Sequence, residues 1–242
     1  MLFSYFAIQA QIINTESLRM VTDTTGWAGK IGLSVSYSKN VKEQLKVKNT
    51  IHVHYKTNKH LILFINNIGF ERIDDADFLN KGVQHLRYNY QFNPKIAWET
   101  FIQNQYNAVS KITFRGLSGI GLRYKLSKSE KYNIHIGSLL MYEYEKTSEA
   151  SNAIHKGCRN SSYLSFHFRL TKNISLISTT YYQPNLSYFS DYRVAHQSVF
   201  SLKIVKNLSF RTAFNFSYDT FPVQGIPKQE FDISNGLVYR FN

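Results

Sequence analysis

Two positions apart in "AHQSVF", His196 and Ser198 offer an imidazole and a hydroxyl. On an extended chain residues i and i+2 share a side, so the pair has the layout of a general base beside a nucleophile, as acyl transfer requires. The competing reading is a histidine held by its neighbours near Tyr192. A larger set of candidates is cationic, with Lys46, Lys48, Arg87, Arg115, Arg123, Arg169 and Arg211 recurring at alternate positions of separate segments. "RGLSGIGLR" has glycines at phosphate-loop-like spacing, but no helix signal follows it. Glycines lying under a large neighbouring ring explain it better. Asp74, Asp75 and Asp77 lack the glycine and distal glutamate of a calcium loop and read as a solvated turn. His52, His54, His85, His135 and His167 have no tight ligand spacing, and Cys158 is the single cysteine, which rules out an intrachain disulfide and a thiolate cluster. No metal and no cofactor is expected.

The chain has 242 residues, 29 Lys plus Arg against 16 Asp plus Glu, a formal charge of +13 and a pI near 9.7. That balance suits an anionic lipid surface or another acidic partner. Nucleic acid is not expected, because no binding motif accompanies the charge. Seventeen Tyr and eighteen Phe against four Pro favour pleated surfaces. The longest apolar run, Leu61 to Ile65, is far too short for a membrane-spanning helix.

The elements that must position these groups show a period of two. Trp27, Gly29, Ile31, Leu33, Val35 and Tyr37 alternate with Ala28, Lys30, Gly32, Ser34 and Ser36. From Leu45 the pattern returns with Val47, Ile51, Val53 and Tyr55 against Lys46, Lys48, His52, His54 and Lys56. His60 to Glu71 is apolar on both parities and gives no facing. Further segments run over 82–92, 96–107, 113–126, 132–145, 161–170, 174–183, 192–204, 208–219 and 229–241. About twelve strands of roughly ten residues result, the length that crosses a bilayer obliquely.

The connections "NPK", "SKSEK", "TKN" and "VKN" are tight, whereas "RIDDADFLN", "KTSEASNAIHKGCRN", "PNLSYFSD" and "TFPVQGIPK" are longer. Counting back from the C-terminus, every tight turn falls on one side, the asymmetry of bacterial outer-membrane barrels. Large rings collect at strand ends on the apolar parity, as two aromatic girdles at the water boundaries would. Gly236, Tyr239 and Phe241 give the last strand a polar-x-Gly-x-x-aromatic-x-aromatic ending, which resembles the insertion signal of such barrels. "MLFSYFAIQAQ" resembles the back half of a secretory signal without its basic front. The expected organisation is therefore a signal remnant over 1–11, a periplasmic segment over 12–25 and an all-β, transmembrane, antiparallel up-and-down barrel of about 12 strands over 26–242.

"TGWAGKIGLSVSYSKN", "HLRYNYQF", "QNQYNAV", "RGLSGIGLRYKL" and "MYEYE" resemble domain-of-unknown-function family 481, whose members are often labelled putative salt-induced outer membrane proteins. The resemblance implies a membrane barrel and carries over no catalytic residue. With the apolar face toward lipid, the other parity lines a lumen. Thirteen basic side chains then face six acidic ones, Glu99, Glu143, Glu145 and Asp232 among them. Two readings stay open. Charges pair across a narrow, filled lumen, giving a structural or accessory barrel without enzymatic activity, or they line a narrow anion-preferring channel. A remoter alternative is an acyl hydrolase, since His196 and Ser198 resemble the His-x-Ser pair of outer-membrane phospholipase A. Val199 and Phe200 depart from that family, and no orienting Asn can be assigned. The expected location is the outer membrane of a Gram-negative bacterium. Expected partners are outer-membrane lipid and lipopolysaccharide, the barrel-assembly machinery and other outer-membrane proteins.

Overall fold

A computed structural model describes residues 25–239, apart from 40, 75, 128, 130, 149–152 and 207. Twelve strands follow one another: β1 (Gly26–Lys39), β2 (Glu43–Lys56), β3 (His60–Ile73), β4 (Ala76–Gln91), β5 (Ile96–Asn107), β6 (Ile112–Lys125), β7 (Tyr132–Thr147), β8 (Ile154–Arg169), β9 (Ile174–Pro184), β10 (Tyr192–Val205), β11 (Leu208–Asp219) and β12 (Gln229–Tyr239). Each pairs antiparallel with the next, so the order in the sheet is the order in the chain. The sheet curls into an up-and-down barrel. Lys30 on β1 comes within electrostatic reach of Arg211 on β11, and Lys81 on β4 within reach of Asp232 and Glu230 on β12. Among the described residues no ladder joins β12 to β1.

Alternation decides which side each residue takes. β1 is exposed on both parities from Gly29 to Lys39, but on β5 to β9 the outward parity leaves Ile102, Tyr124, Ile136, Leu140, Tyr142 and Tyr182 exposed, while the opposite parity buries polar and charged groups. That inversion of a soluble core is what a lipid-facing barrel requires. β3, whose facing periodicity alone leaves undecided, buries Leu63 and Ile65 and turns Ile62 and Phe64 outward.

Side-chain oxygens close the tight turns. Asn93 Oδ1 accepts from the amides of Lys95 and Ile96 at 2.9 Å each, and Thr171 Oγ1 accepts from Asn173 and Ile174 at 3.1 and 3.0 Å. At the other end the expected long loop in "RIDDADFLN" is corrected, since only Asp74 and residue 75 separate β3 from β4. A bulge between Glu71 and Arg72 and the left-handed backbone of Asp74, φ 52°, allow so short a reversal, and Asp tolerates that conformation. β8 likewise starts at Ile154, within the expected loop of 146–160. The long connections are then 185–191 and 220–228. They pack together through Tyr188 and Phe221, ring centroids 5.8 Å apart, and Lys111 Nζ donates to the Gln224 carbonyl at 2.7 Å. These contacts draw the loops over the mouth.

Candidate functional site in the barrel interior

Toward the long-loop end, a carboxylate on β7 gathers charge from three other strands. Glu143 accepts from Arg115 Nε on β6 at 3.2 Å, from Arg159 Nε on β8 at 2.8 Å, and from Arg193 Nη1 on β10. Arg115 also meets Glu145, and Arg193 Nε lies 2.7 Å from Asp219 on β11. Arg159 Nη2 reaches Asp191 at 2.7 Å and so ties the 185–191 loop to the interior. Arg115 is 2% exposed. Charges so far from water persist because each has a partner of opposite sign in hydrogen-bonding geometry.

Toward the short-turn end, Glu99 on β5 is the second centre. It is fully buried and accepts from Arg87 Nη1 at 3.0 Å, the Tyr163 hydroxyl at 2.7 Å and Asn89 Nδ2, with Arg123 Nη1 at 3.7 Å. The Arg87 guanidinium lies 5.1 Å from the centre of the Phe101 ring, a cation–π contact. Between the two ionic layers Phe101, Leu139, Met141, Tyr163, Tyr181 and Ala195 form one apolar cluster. Gly119 and Gly137 make room for it. A Cβ on Gly119 would stand 2.4 Å from Phe101 Cε1, and one on Gly137 2.3 Å from Tyr163 Cε1. Gly119 belongs to "RGLSGIGLR", and its role is packing.

The remaining sequence-selected groups occupy the β1, β2 and β12 side or the rim. Lys46 pairs with Glu71 at 3.1 Å; Lys48 and Arg211 are both within electrostatic reach of Lys30. Asp232 accepts from Asn215 Nδ2 at 3.1 and 3.2 Å. Arg169 is exposed where β8 ends. Gly236 pairs in register with Arg211 and Tyr239 with Leu208, while Phe241 lies outside the described residues, as do 1–24. Sequence reasoning missed Arg159, Asp191 and Lys81. Lys81 falls between the expected loop of 72–80 and the strand expected from Gly82, Asp191 falls in a segment read as a loop that is one, and Arg159 falls in a segment read as a loop because Ile154, Lys156, Cys158 and Asn160 give no apolar alternation. Lys156 Nζ stands 5.5 Å from the Tyr144 ring, the water-side cation above an aromatic girdle, so β8 continues past the bilayer where its outer face need not be apolar.

On the outer face His196 Nε2 lies 2.8 Å from Ser198 Oγ, His196 Nδ1 lies 2.8 Å from Thr180 Oγ1, and Ser198 Oγ donates to Ser178 Oγ at 3.0 Å. Thr180 takes the orienting place left unfilled in sequence. The row is one of several on this face. Asn66 bonds Asn49 at 2.6 Å and Gln84 bonds Asn66 at 3.1 Å; Asn160 bonds Ser138 at 3.0 Å; Thr212 bonds Asn235 at 2.8 Å. Ser198 lies six residues from the girdle of Tyr182, Tyr192 and Tyr218, about 20 Å along the strand. That depth is near mid-membrane, below the level of lipid ester groups, where mutual hydrogen bonding satisfies polar groups that lipid cannot.

Among the described residues no helix is long and apolar enough to cross a membrane, and no three His, Cys, Asp or Glu side chains are grouped to hold a metal ion. Residues 74–241 match the family described as "Protein of unknown function, DUF481". The chain belongs to this family. No curated protein matches it. Among solved structures it is similar to the NanC porin, at 7% identity over 88% of this chain and 100% of that one, with a TM-score of 0.51. It is also similar to the CymD monoaromatic hydrocarbon channel, at 8% identity over 90% of this chain and 80% of that one, TM-score 0.49. The translocator domain of the autotransporter NalP from Neisseria meningitidis matches at 9% identity over 94% of this chain and 92% of that one, TM-score 0.42. At such identities the NanC likeness speaks to fold alone. This DUF481 protein is an outer-membrane-type barrel whose specific role the family does not supply.

Proposed function

We propose that the protein is a closed, non-enzymatic barrel of the Gram-negative outer membrane, with a structural or accessory role. It would be inserted by the barrel-assembly machinery and surrounded by lipid and lipopolysaccharide, with other outer-membrane proteins as neighbours. One observation carries the reading. Glu143 is held by arginines from β6, β8 and β10, which places a bonded crossbar between non-adjacent walls. An open aqueous pore has no reason to sacrifice its bore to such a crossbar. The apolar cluster beneath it adds a layer that water and ions do not enter readily.

A second reading rests on the unequal sides of the interior. Lys30, Lys48 and Arg211 stand close together by β1, away from the Glu143 crossbar. A narrow anion-preferring path along that wall is the porin alternative. Planar-bilayer recording of the purified protein separates them: the closed barrel gives no resolvable steps, whereas large anion-selective steps in the wild type would replace it with the channel.

A further inference from the structure

Strands β2 to β5 each carry one amide on the lipid side, near one level. Asn49 stands six residues from Tyr55, Gln84 six from Tyr90 and Asn104 six from Trp98, rings of the short-turn girdle. That is about 20 Å along each strand, near mid-membrane. Asn66 faces Gln84 in register, and Gln84 faces Asn104. A primary amide has two N–H groups and a carbonyl to satisfy. The row satisfies only some of them. Asn66 Nδ2 donates to Asn49 Oδ1 at 2.6 Å, and Gln84 Nε2 donates to Asn66 Oδ1 at 3.1 Å. Among the described residues nothing accepts from Asn49 Nδ2, nothing donates to Gln84 Oε1, and the exposed Asn104 makes no side-chain hydrogen bond. On β7 and β8 the corresponding amide is bonded at both ends: Asn160 donates to Ser138 at 3.0 Å and accepts from Ser162 at 2.5 Å. Hydrocarbon offers the unused β2–β5 groups no partner.

We infer that the β2–β5 face docks a second copy of this chain, amide row against amide row. The row is neutral, so it selects no charged partner, and an amide is complementary to another amide. Two copies inserted the same way round are related by a two-fold axis along the membrane normal, which keeps every residue at its own depth. With that axis between Asn66 and Gln84, Asn66 of one copy meets Gln84 of the other. The spare N–H of Asn66 then answers the unused Gln84 Oε1, and symmetry makes the contact twice. Asn49 and Asn104 lie on opposite sides of the axis and exchange in the same manner. Within lipid, such bonds and close packing drive association, because burying apolar surface there gains nothing. Phe64, Leu86 and Ile102 are exposed around the row and supply the packing. The inference rests on the lipid-facing side of the barrel and holds whether or not the lumen conducts.

The exposed Cys158 on β8, away from this face, takes a donor or an acceptor dye. Full-length protein carrying the two labels, mixed in lipid vesicles, should show energy transfer that follows a monomer–dimer equilibrium as lipid is added. Asn66→Leu and Gln84→Leu should each weaken the dimer about three- to fifteenfold, as for hydrogen bonds between membrane segments, and the pair together should abolish it. Leucine suits the lipid face, so these variants keep the barrel, and heat-modifiable gel mobility checks that they do. The control, Ser138→Ala with Ser162→Ala, removes the other row and should leave the dimer unchanged. In the bacterial membrane, a photo-crosslinking residue at Leu86 should give a band of twice the monomer mass, and one at Leu140 should give none. Transfer no greater than random mixing in the folded wild type overturns the inference. So does a dimer that survives loss of Asn66 and Gln84 or that weakens equally in the control, and so does a Leu86 crosslink to a different protein in place of a second copy.

Discussion

Glu143 has more at stake than any other acid in the barrel, because its two oxygens face three guanidiniums. Glu143→Gln keeps the shape but removes the charge that compensates them. Removal of one partner from a buried ionic cluster typically costs about 3–5 kcal/mol. Urea unfolding in lipid should show a loss of that order, with Arg115, Arg159 and Arg193 left to share Glu145, Asp191 and Asp219. Lys42→Gln serves as the contrast. Its ion pair with Asp74 spans 4.0 Å at the exposed rim, and its loss should stay within about 0.5 kcal/mol. If the two variants unfold alike, the Glu143 cluster is not a structural crossbar. The outer row of His196 makes a different residue-scale expectation. Ser198→Ala should change stability by about 1 kcal/mol, the worth of a hydrogen bond, and a fluorophosphonate probe should leave Ser198 unlabelled. Covalent labelling that depends on His196 would instead establish an acyl-transfer centre.

At the scale of strands, legibility followed the membrane. Where a strand lies between lipid and interior, alternation is enforced on both faces, and Leu208–Asp219 can be read directly from Phe210, Phe214, Phe216 and Tyr218. β3 resisted because Leu63 and Ile65 fill the interior with the same residue types that Ile62 and Phe64 offer to lipid. The first turns of β8 resisted for the opposite reason, since neither face there needs to be apolar, and Arg159 went unseen with them. Within the interior, sequence parity grouped Glu99, Glu143 and Glu145 with the basic rows, but it held no information on which arginine meets which acid. Those pairings depend on the stagger of strands around the barrel. The last strand gives a prediction of its own. Leu237 is exposed on the outer parity, and in the sequence rings follow it at two and four residues, Tyr239 and Phe241. Phe241→Asp should therefore reduce the amount of protein recovered in the outer membrane far more than Asn242→Asp. Equal recovery of the two variants would show that the terminal ring is not read during assembly.

Twelve strands are enough to enclose water, so a filled interior has to be built from side chains. Here it is built in three layers: the Glu143 crossbar, the cluster of Phe101, Leu139, Met141, Tyr163 and Tyr181, and the Glu99 centre. The layers differ in how they would respond to change. Removing Glu143 leaves bulky arginines in place, so it weakens the barrel without clearing a path. Truncating the middle layer removes volume and leaves both ionic layers paired. Met141→Ala, Tyr163→Ala and Tyr181→Ala together should therefore turn a silent barrel into one with small, resolvable current steps. The Tyr163 change also frees Glu99 from one of its hydrogen bonds. Because Lys30, Lys48 and Arg211 remain along the β1 wall, those steps should favour anions, and the preference should fade as salt shortens the range of the charges. A triple variant that stays folded by heat-modifiable mobility yet passes no current would show that the obstruction lies elsewhere, in the loops drawn over the long-loop mouth by Lys111 and Asp191.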